Sequence, residues 1–207
     1  MLFRRLWLEF AFLYLGVPMV LAFALPPSAM FSVLGVATIV GLVLLHRTQG
    51  FDWRDLIAGT IPWKAIAVGA LVTAVVAVSL TLWLFPQNLF FLPRRAPSIW
   101  LMIMVLYPLV SALPQELVFR PLFFRRYGRL FPGRGLSLAV NAMVFALAHI
   151  MYRDPLVFAM TAVGGWVFAW VYAVRGSFLG AVLLHAIAGC LIFTSGLGVL
   201  FYSGAVR

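Results

Sequence analysis

Charge is what this chain has least of. Only 10% of its 207 residues are charged, five are Asp or Glu and three are His. A soluble domain carries about 25% charged and about 45–50% apolar residues. Here 65% are apolar and the mean hydropathy is +1.09, which excludes a soluble globule of this size. A single cysteine, Cys190, excludes an internal disulfide framework. It sits in an apolar run and reads as a small buried hydrophobe. There is no His-Glu-x-x-His sequence, no internal repeat and no low-complexity segment. The missing inverted repeat argues against a small transporter.

What the chain does have is apolar length. Runs near residues 6–25, 28–45, 65–84, 100–124, 136–151, 156–174 and 178–193 each suit a membrane-spanning helix. The fold expected is all-α, a polytopic membrane helix bundle of about seven to eight transmembrane helices. The Gly-rich, apolar stretch 194–207, too short for a secure span, is read as a partial eighth helix. Residues 1–98 hold about three spans without chemical motifs. Residues 99–195 hold the spans that carry the ionisable groups, within one membrane domain overall. Arg4 and Arg5 ahead of the first run resemble a signal-peptide n-region. The apolar length and the lack of an Ala-x-Ala-like site favour a retained helix.

The basic residues sort by loop. With the N-terminus in the cytoplasm, ten Lys or Arg lie inside and four, Arg94, Arg95, Arg153 and Arg207, lie outside, with Arg120 within a span. That obeys the positive-inside rule. The net charge of +10 then comes from cytoplasmic loops facing anionic lipid, and no nucleic-acid partner is needed. Arg125, Arg126, Arg129 and Arg134 are read as part of this signal. The expected location is a bacterial cytoplasmic (inner) membrane, with membrane lipid as the surrounding partner.

Against this background Glu116, Arg120, His149 and His185 stand out, because a charge in a bilayer core costs roughly 2.5–3.5 kcal/mol on insertion scales. Glu116 and Arg120 are one helical turn apart and share a face, and Gln115 is adjacent. Pro114 is placed to kink that helix. Asn141, Phe145 and His149 form one stripe at spacing four. Gly189, one turn from His185, leaves room beside it for another helix or a substrate backbone. A carboxylate and an imidazole aimed at one water activate it as a nucleophile. A second imidazole donates to the developing oxyanion of a scissile carbonyl. Such a set hydrolyses a peptide bond without a Ser or Cys nucleophile and without a metal or other cofactor.

The sequence Pro-Gln115-Glu116-Leu-Val-Phe-Arg120 resembles the Glu-Glu-x-x-x-Arg motif of the CAAX protease and bacteriocin-processing family of intramembrane endopeptidases. Phe145-Ala-Leu-Ala-His149 matches that family's Phe-x-x-x-His motif, and His185-Ala-Ile-Ala-Gly189 resembles its His-x-x-x-Asn motif in the His. The resemblance covers about residues 100–193. It implies a glutamic-type intramembrane protease acting on the peptide tail of a membrane-anchored or lipidated protein. The Glu and first His would activate water, the second His and the Asn would bind the oxyanion, and the Arg would hold the acidic pair. Bacterial members that process C-terminal sorting tails, the myxosortase-like group, show similar Gln-Glu forms. Two positions depart from the pattern. Gln115 replaces the carboxylate that usually carries catalysis, so either Glu116 takes that role or the protein is inactive. Gly189 replaces the Asn, leaving Asn141 or a backbone amide near the glycines as the substitute.

Two other readings stay open. One is a catalytically degenerate family member acting as a membrane scaffold or partner-binding protein, favoured by Gln115 and Gly189. The other is a two-His, one-carboxylate metallohydrolase using Glu116, His149 and His185, against which Arg120 would oppose a cation.

Overall fold

In a computed structural model that describes residues 2–201, every regular element is helical. Seven helices are long and apolar enough to cross a membrane. They are α1 (Phe3–Phe23), α2 (Pro27–His46), α3 (Trp63–Leu84), α4 (Pro97–Leu130), α5 (Arg134–Tyr152), α6 (Pro155–Ala173) and α7 (Phe178–Ser195). Each expected span is present. α4 is longer than the run that announced it, because polar Arg125, Arg126 and Arg129 continue its helix. No eighth span forms among the described residues. α7 stops at Gly196, whose φ of 107° suits glycine, and Leu197–Leu200 make a short 3-10 turn. Residues 202–207 of the suggested eighth helix, Arg207 included, lie outside the described residues.

The helix ends follow local chemistry. Asp154 caps α6 by accepting from the Leu156 and Val157 amides, and Ser177 caps α7 by accepting from Gly180 N–H. Pro155 sits at the first position of α6, where its missing N–H is not needed. Many apolar side chains on α2 and α3 point outward; Ile39 and Leu71 are each 65% exposed. In a bilayer those faces meet lipid.

The α4 helix is not a plain α-helix. Residues Pro108–Ala112 and Val118–Tyr127 are π-helical, with one α-helical turn, Leu113–Leu117, between them. Pro108, Pro114 and Pro121 each lack the amide that an α-helical ladder would use. π-turns of this kind occur often at functional sites. The expected disturbance at Pro114 is therefore a change of helical winding along the whole segment. The Val118 carbonyl accepts from the Tyr14 hydroxyl of α1 at 2.7 Å. Around that bond Phe10, Tyr14, Phe119, Phe123 and Tyr127 pack edge to face, tying α1 to α4.

Ion pairs tie the loops at one end of the bundle. Arg126 reaches Glu9 of α1 at 2.6 Å and Arg125 reaches Asp55 at 2.7 Å. Glu9 is a carboxylate inside the first apolar run that the sequence reading left out. At the other end Arg153 donates to the Ala22 carbonyl at the close of α1. The bundle thus gathers Arg125 and Arg126 at the end opposite Arg153, as the loop assignment requires.

Candidate active site

The single α-helical turn of α4 carries the charged residues. Glu116 and Arg120 are both completely buried, and Arg120 Nε donates to Glu116 Oε2 at 2.9 Å. A second guanidinium nitrogen donates to Oε1 at 3.2 Å, making the pair bidentate. The third donates to Asn141 Oδ1 of α5, and Asn141 Nδ2 donates to the Phe119 carbonyl at 2.6 Å. Both ends of the Asn141 amide thus bond within the buried contact of α4 and α5. Phe145 and Phe168 lie against the guanidinium at 5.0 and 5.9 Å.

Glu116 does not stop at Arg120. His185 Nδ1 lies 2.9 Å from Glu116 Oε1. A carboxylate ion only accepts, so Nδ1 carries the hydrogen and, in the neutral ring, Nε2 keeps its lone pair. On that side the Tyr107 hydroxyl sits 3.1 Å away. The imidazole is stacked on Phe168 at 4.8 Å with the planes 14° apart. The result is a continuous line: Arg120, Glu116, His185, Tyr107. The Tyr107 ring lies directly over Gly189, where any Cβ would collide with it. The room that Gly189 leaves is thus filled by another helix, through the aromatic side chain of α4.

His149 lies where α5 loosens into a 3-10 turn, Ile150–Tyr152. Its Nδ1 donates to the Phe145 carbonyl at 2.8 Å, so its Nε2 also holds a free lone pair. The Phe145 ring is 4.9 Å from His149 and 5.5 Å from His185, so both imidazoles flank one phenyl group.

Both imidazoles face the same cavity, about 1170 Å³ in volume and lined mostly by apolar side chains. Tyr107, Ser111, Gln115, His149 and His185 form one polar stretch of its wall. It runs from Lys64 and Arg175 at one end of the bundle to Met30 and Tyr152 at the other. Val68, Val72 and Val163 line it and are more than half exposed, so it opens sideways at mid-helix, where lipid would lie. Gln115 Nε2 donates to Ser111 Oγ at 2.9 Å, while its Oε1 is buried without a partner. Such an acceptor calls for an N–H or O–H that enters the site.

Residues 97–191 match the family described as Type II CAAX prenyl endopeptidase Rce1-like. Over this segment, just under half of its length, the chain is similar to the CAAX protease family. Intramembrane endopeptidase is the general activity class of that family. Neither the curated proteins nor the solved structures include a match. The matched residues run from the start of α4 into α7 and so contain Tyr107, Ser111, Gln115, His149 and His185.

Glu116, Arg120 and His185 come together in direct contact. Gln115 and His149 share the cavity with His185, but Glu116 does not reach its surface. Asn141 faces Arg120 and away from the cavity, so it does not stand in for a side chain at position 189. The donor set does not favour a metal: Arg120 and His185 bond the Glu116 oxygens, and no three of His, Cys, Asp and Glu gather for an ion among the described residues. Tyr107 and Ser111 are the residues that sequence reading missed. The one signal for Tyr107 was Gly189, an opening beside a polar residue on an apolar helix.

Proposed function

We propose that the chain is an intramembrane endopeptidase that hydrolyses a peptide bond in the C-terminal tail of a membrane-anchored or lipidated protein. The observation that carries this reading is the line from Arg120 through Glu116 to His185, ending at the wall of a cavity open to the bilayer. Glu116 is enclosed, so it acts through His185 as a positioning residue. Its charge fixes the imidazole tautomer and stabilises the imidazolium that forms. His185 Nε2 takes the proton of a water as the water oxygen bonds to the carbonyl carbon. The same proton passes to the leaving nitrogen as the C–N bond breaks, giving a carboxylic acid and an amine. His149 Nε2 accepts from that water and aims it. Gln115 Oε1 accepts a backbone N–H of the substrate. The N-terminus lies in the cytoplasm of a bacterial inner membrane, following the distribution of Lys and Arg.

The test compares C-terminal processing in the membrane proteome of the host. The strains are wild type, a deletion, His185→Gln, His149→Ala and Glu116→Gln, each at matched protein level. Loss of processing in the deletion and in all three variants is expected. General acid–base catalysis contributes roughly 10²–10⁴-fold, and losses of that size are anticipated. Normal processing in the His185→Gln strain overturns the mechanism.

One observation favours a second reading. The cavity wall carries the amide of Gln115 where the family pattern has a carboxylate. A protein that grips a peptide tail without cutting it would show processing lost in the deletion alone. In that case Gln115→Glu is the variant expected to gain cleavage.

A further inference from the structure

We infer that Tyr107 is a catalytic residue of this site, and that its hydroxyl is the hydrogen-bond donor that binds the oxyanion of the tetrahedral intermediate. The inference rests on the endopeptidase reading above and adds the group which that mechanism leaves unassigned.

Three observations carry it. First, the Tyr107 hydroxyl is 3.1 Å from His185 Nε2, the atom that receives the proton. Second, its ring fills the space above Gly189 and is edge-on to Phe193 at 5.7 Å, so the phenol is held by packing on α7. Third, it lines the cavity together with Gln115, His149 and His185. Of the other hydroxyls that line the cavity, Tyr152 donates to the Phe201 carbonyl and Thr161 to the Val157 carbonyl. Asn141 bonds to Arg120 and the Phe119 carbonyl, away from the cavity lining.

The chemistry follows from the neutral tautomer of His185. With Nδ1–H directed at Glu116, Nε2 accepts, so in the resting site the phenol donates to it. When a water takes that place on Nε2, the Tyr107 O–H is released and lies within reach of the carbonyl oxygen under attack. The water oxygen then bonds to the carbonyl carbon, and the π pair moves onto oxygen. The Tyr107 O–H binds that oxygen while the water proton rests on His185 Nε2. Collapse of the intermediate restores the carbonyl, breaks the C–N bond and delivers the proton to the leaving nitrogen. The phenol keeps its own hydrogen throughout. Because it is fixed by Gly189 and Phe193 before the reaction begins, it costs little reorganisation in the transition state.

Tyr107→Phe tests this, since it keeps the ring over Gly189 and removes one oxygen. Purified wild type and variant, reconstituted in phospholipid nanodiscs, are assayed on a peptide whose processing depends on the wild-type protein. Removing one oxyanion donor costs about 10²–10³-fold in kcat, and that loss is expected with KM within about threefold. A tetrahedral phosphonate analogue of the peptide is expected to lose affinity by a similar factor, while the uncleaved peptide binds the two proteins equally. Parity in kcat, or equal affinity for the phosphonate, overturns the role of Tyr107 and leaves the endopeptidase reading standing. A wild-type protein that binds the peptide and never cuts it overturns both. Wild-type cutting that His185→Gln leaves intact removes the atom around which Tyr107 is placed, and overturns the inference with it.

Discussion

Replacing Arg120 and Glu116 one at a time and then together separates their structural work from their chemical work. Each is completely enclosed. Arg120→Met removes two bonds to the carboxylate and one to Asn141, leaving Glu116 with His185 alone. Glu116→Leu leaves a guanidinium enclosed by Phe145, Phe168 and Asn141. Breaking a buried pair from one side costs about 3–5 kcal/mol, because the surviving charge has no counterpart. If the two losses were independent, the double variant would lose about 6–10 kcal/mol by the same rule. With both charges gone nothing is left uncompensated, and similar volumes of apolar side chain are often tolerated. The double variant is therefore expected to cost no more than either single one, a coupling of at least about 3 kcal/mol, the upper range for residues in contact. Unfolding of the solubilised protein by titration with sodium dodecyl sulfate reports it, with the fluorescence of the seven tryptophans as signal. Activity is expected to stay lost in the double variant, since His185 has no carboxylate behind it. Costs that add to within about 0.5 kcal/mol would refute the idea that the pair is a single structural unit.

Two further outcomes follow from packing and from the loop ties. A Cβ on Gly165 would lie 3.0 Å from Phe145 and 3.3 Å from the Ala142 backbone of α5, whereas one on Gly164 meets only Phe168 at 3.4 Å. Gly165→Val is expected to cost about 1–3 kcal/mol through overpacking and Gly164→Ala much less; equal losses in the same titration would refute the assignment of the α5–α6 contact to Gly165. Glu9→Gln weakens a partly buried tie to Arg126, at an expected cost of about 1–2 kcal/mol with kcat unchanged, and a changed kcat at equal stability would show that this end of the bundle reaches the site.

The spans were legible because a bilayer demands apolar runs of fixed length, and little else in 207 residues competes with that signal. Glu116, Arg120 and His185 were legible for the opposite reason: each breaks an apolar run at a cost that packing has to offset. Sequence did not reveal which partner each would choose. Spacing placed Asn141, Phe145 and His149 on one stripe, yet the three face a guanidinium, a ring cluster and a cavity. A stripe on a helix is wide enough to border several neighbours, and crossing angles decide which. Tyr107 was hidden because one tyrosine in an apolar helix is ordinary. Only the helix packed against it, at Gly189, makes it specific. The π-winding of α4 was hinted at by its prolines, but its extent depends on donors such as Tyr14, which lies 104 residues away from Val118.

The two phenylalanines at the site have a consequence for hydration. Phe145 and Phe168 each place a ring against the Arg120 guanidinium and another edge or face against His185. They form a partition: fixed ions on one side, a wettable chamber on the other. Water can enter and leave the chamber while the ions keep a constant dielectric surrounding. The field that Glu116 imposes on His185 then stays the same whether the chamber is empty, flooded or filled by a peptide.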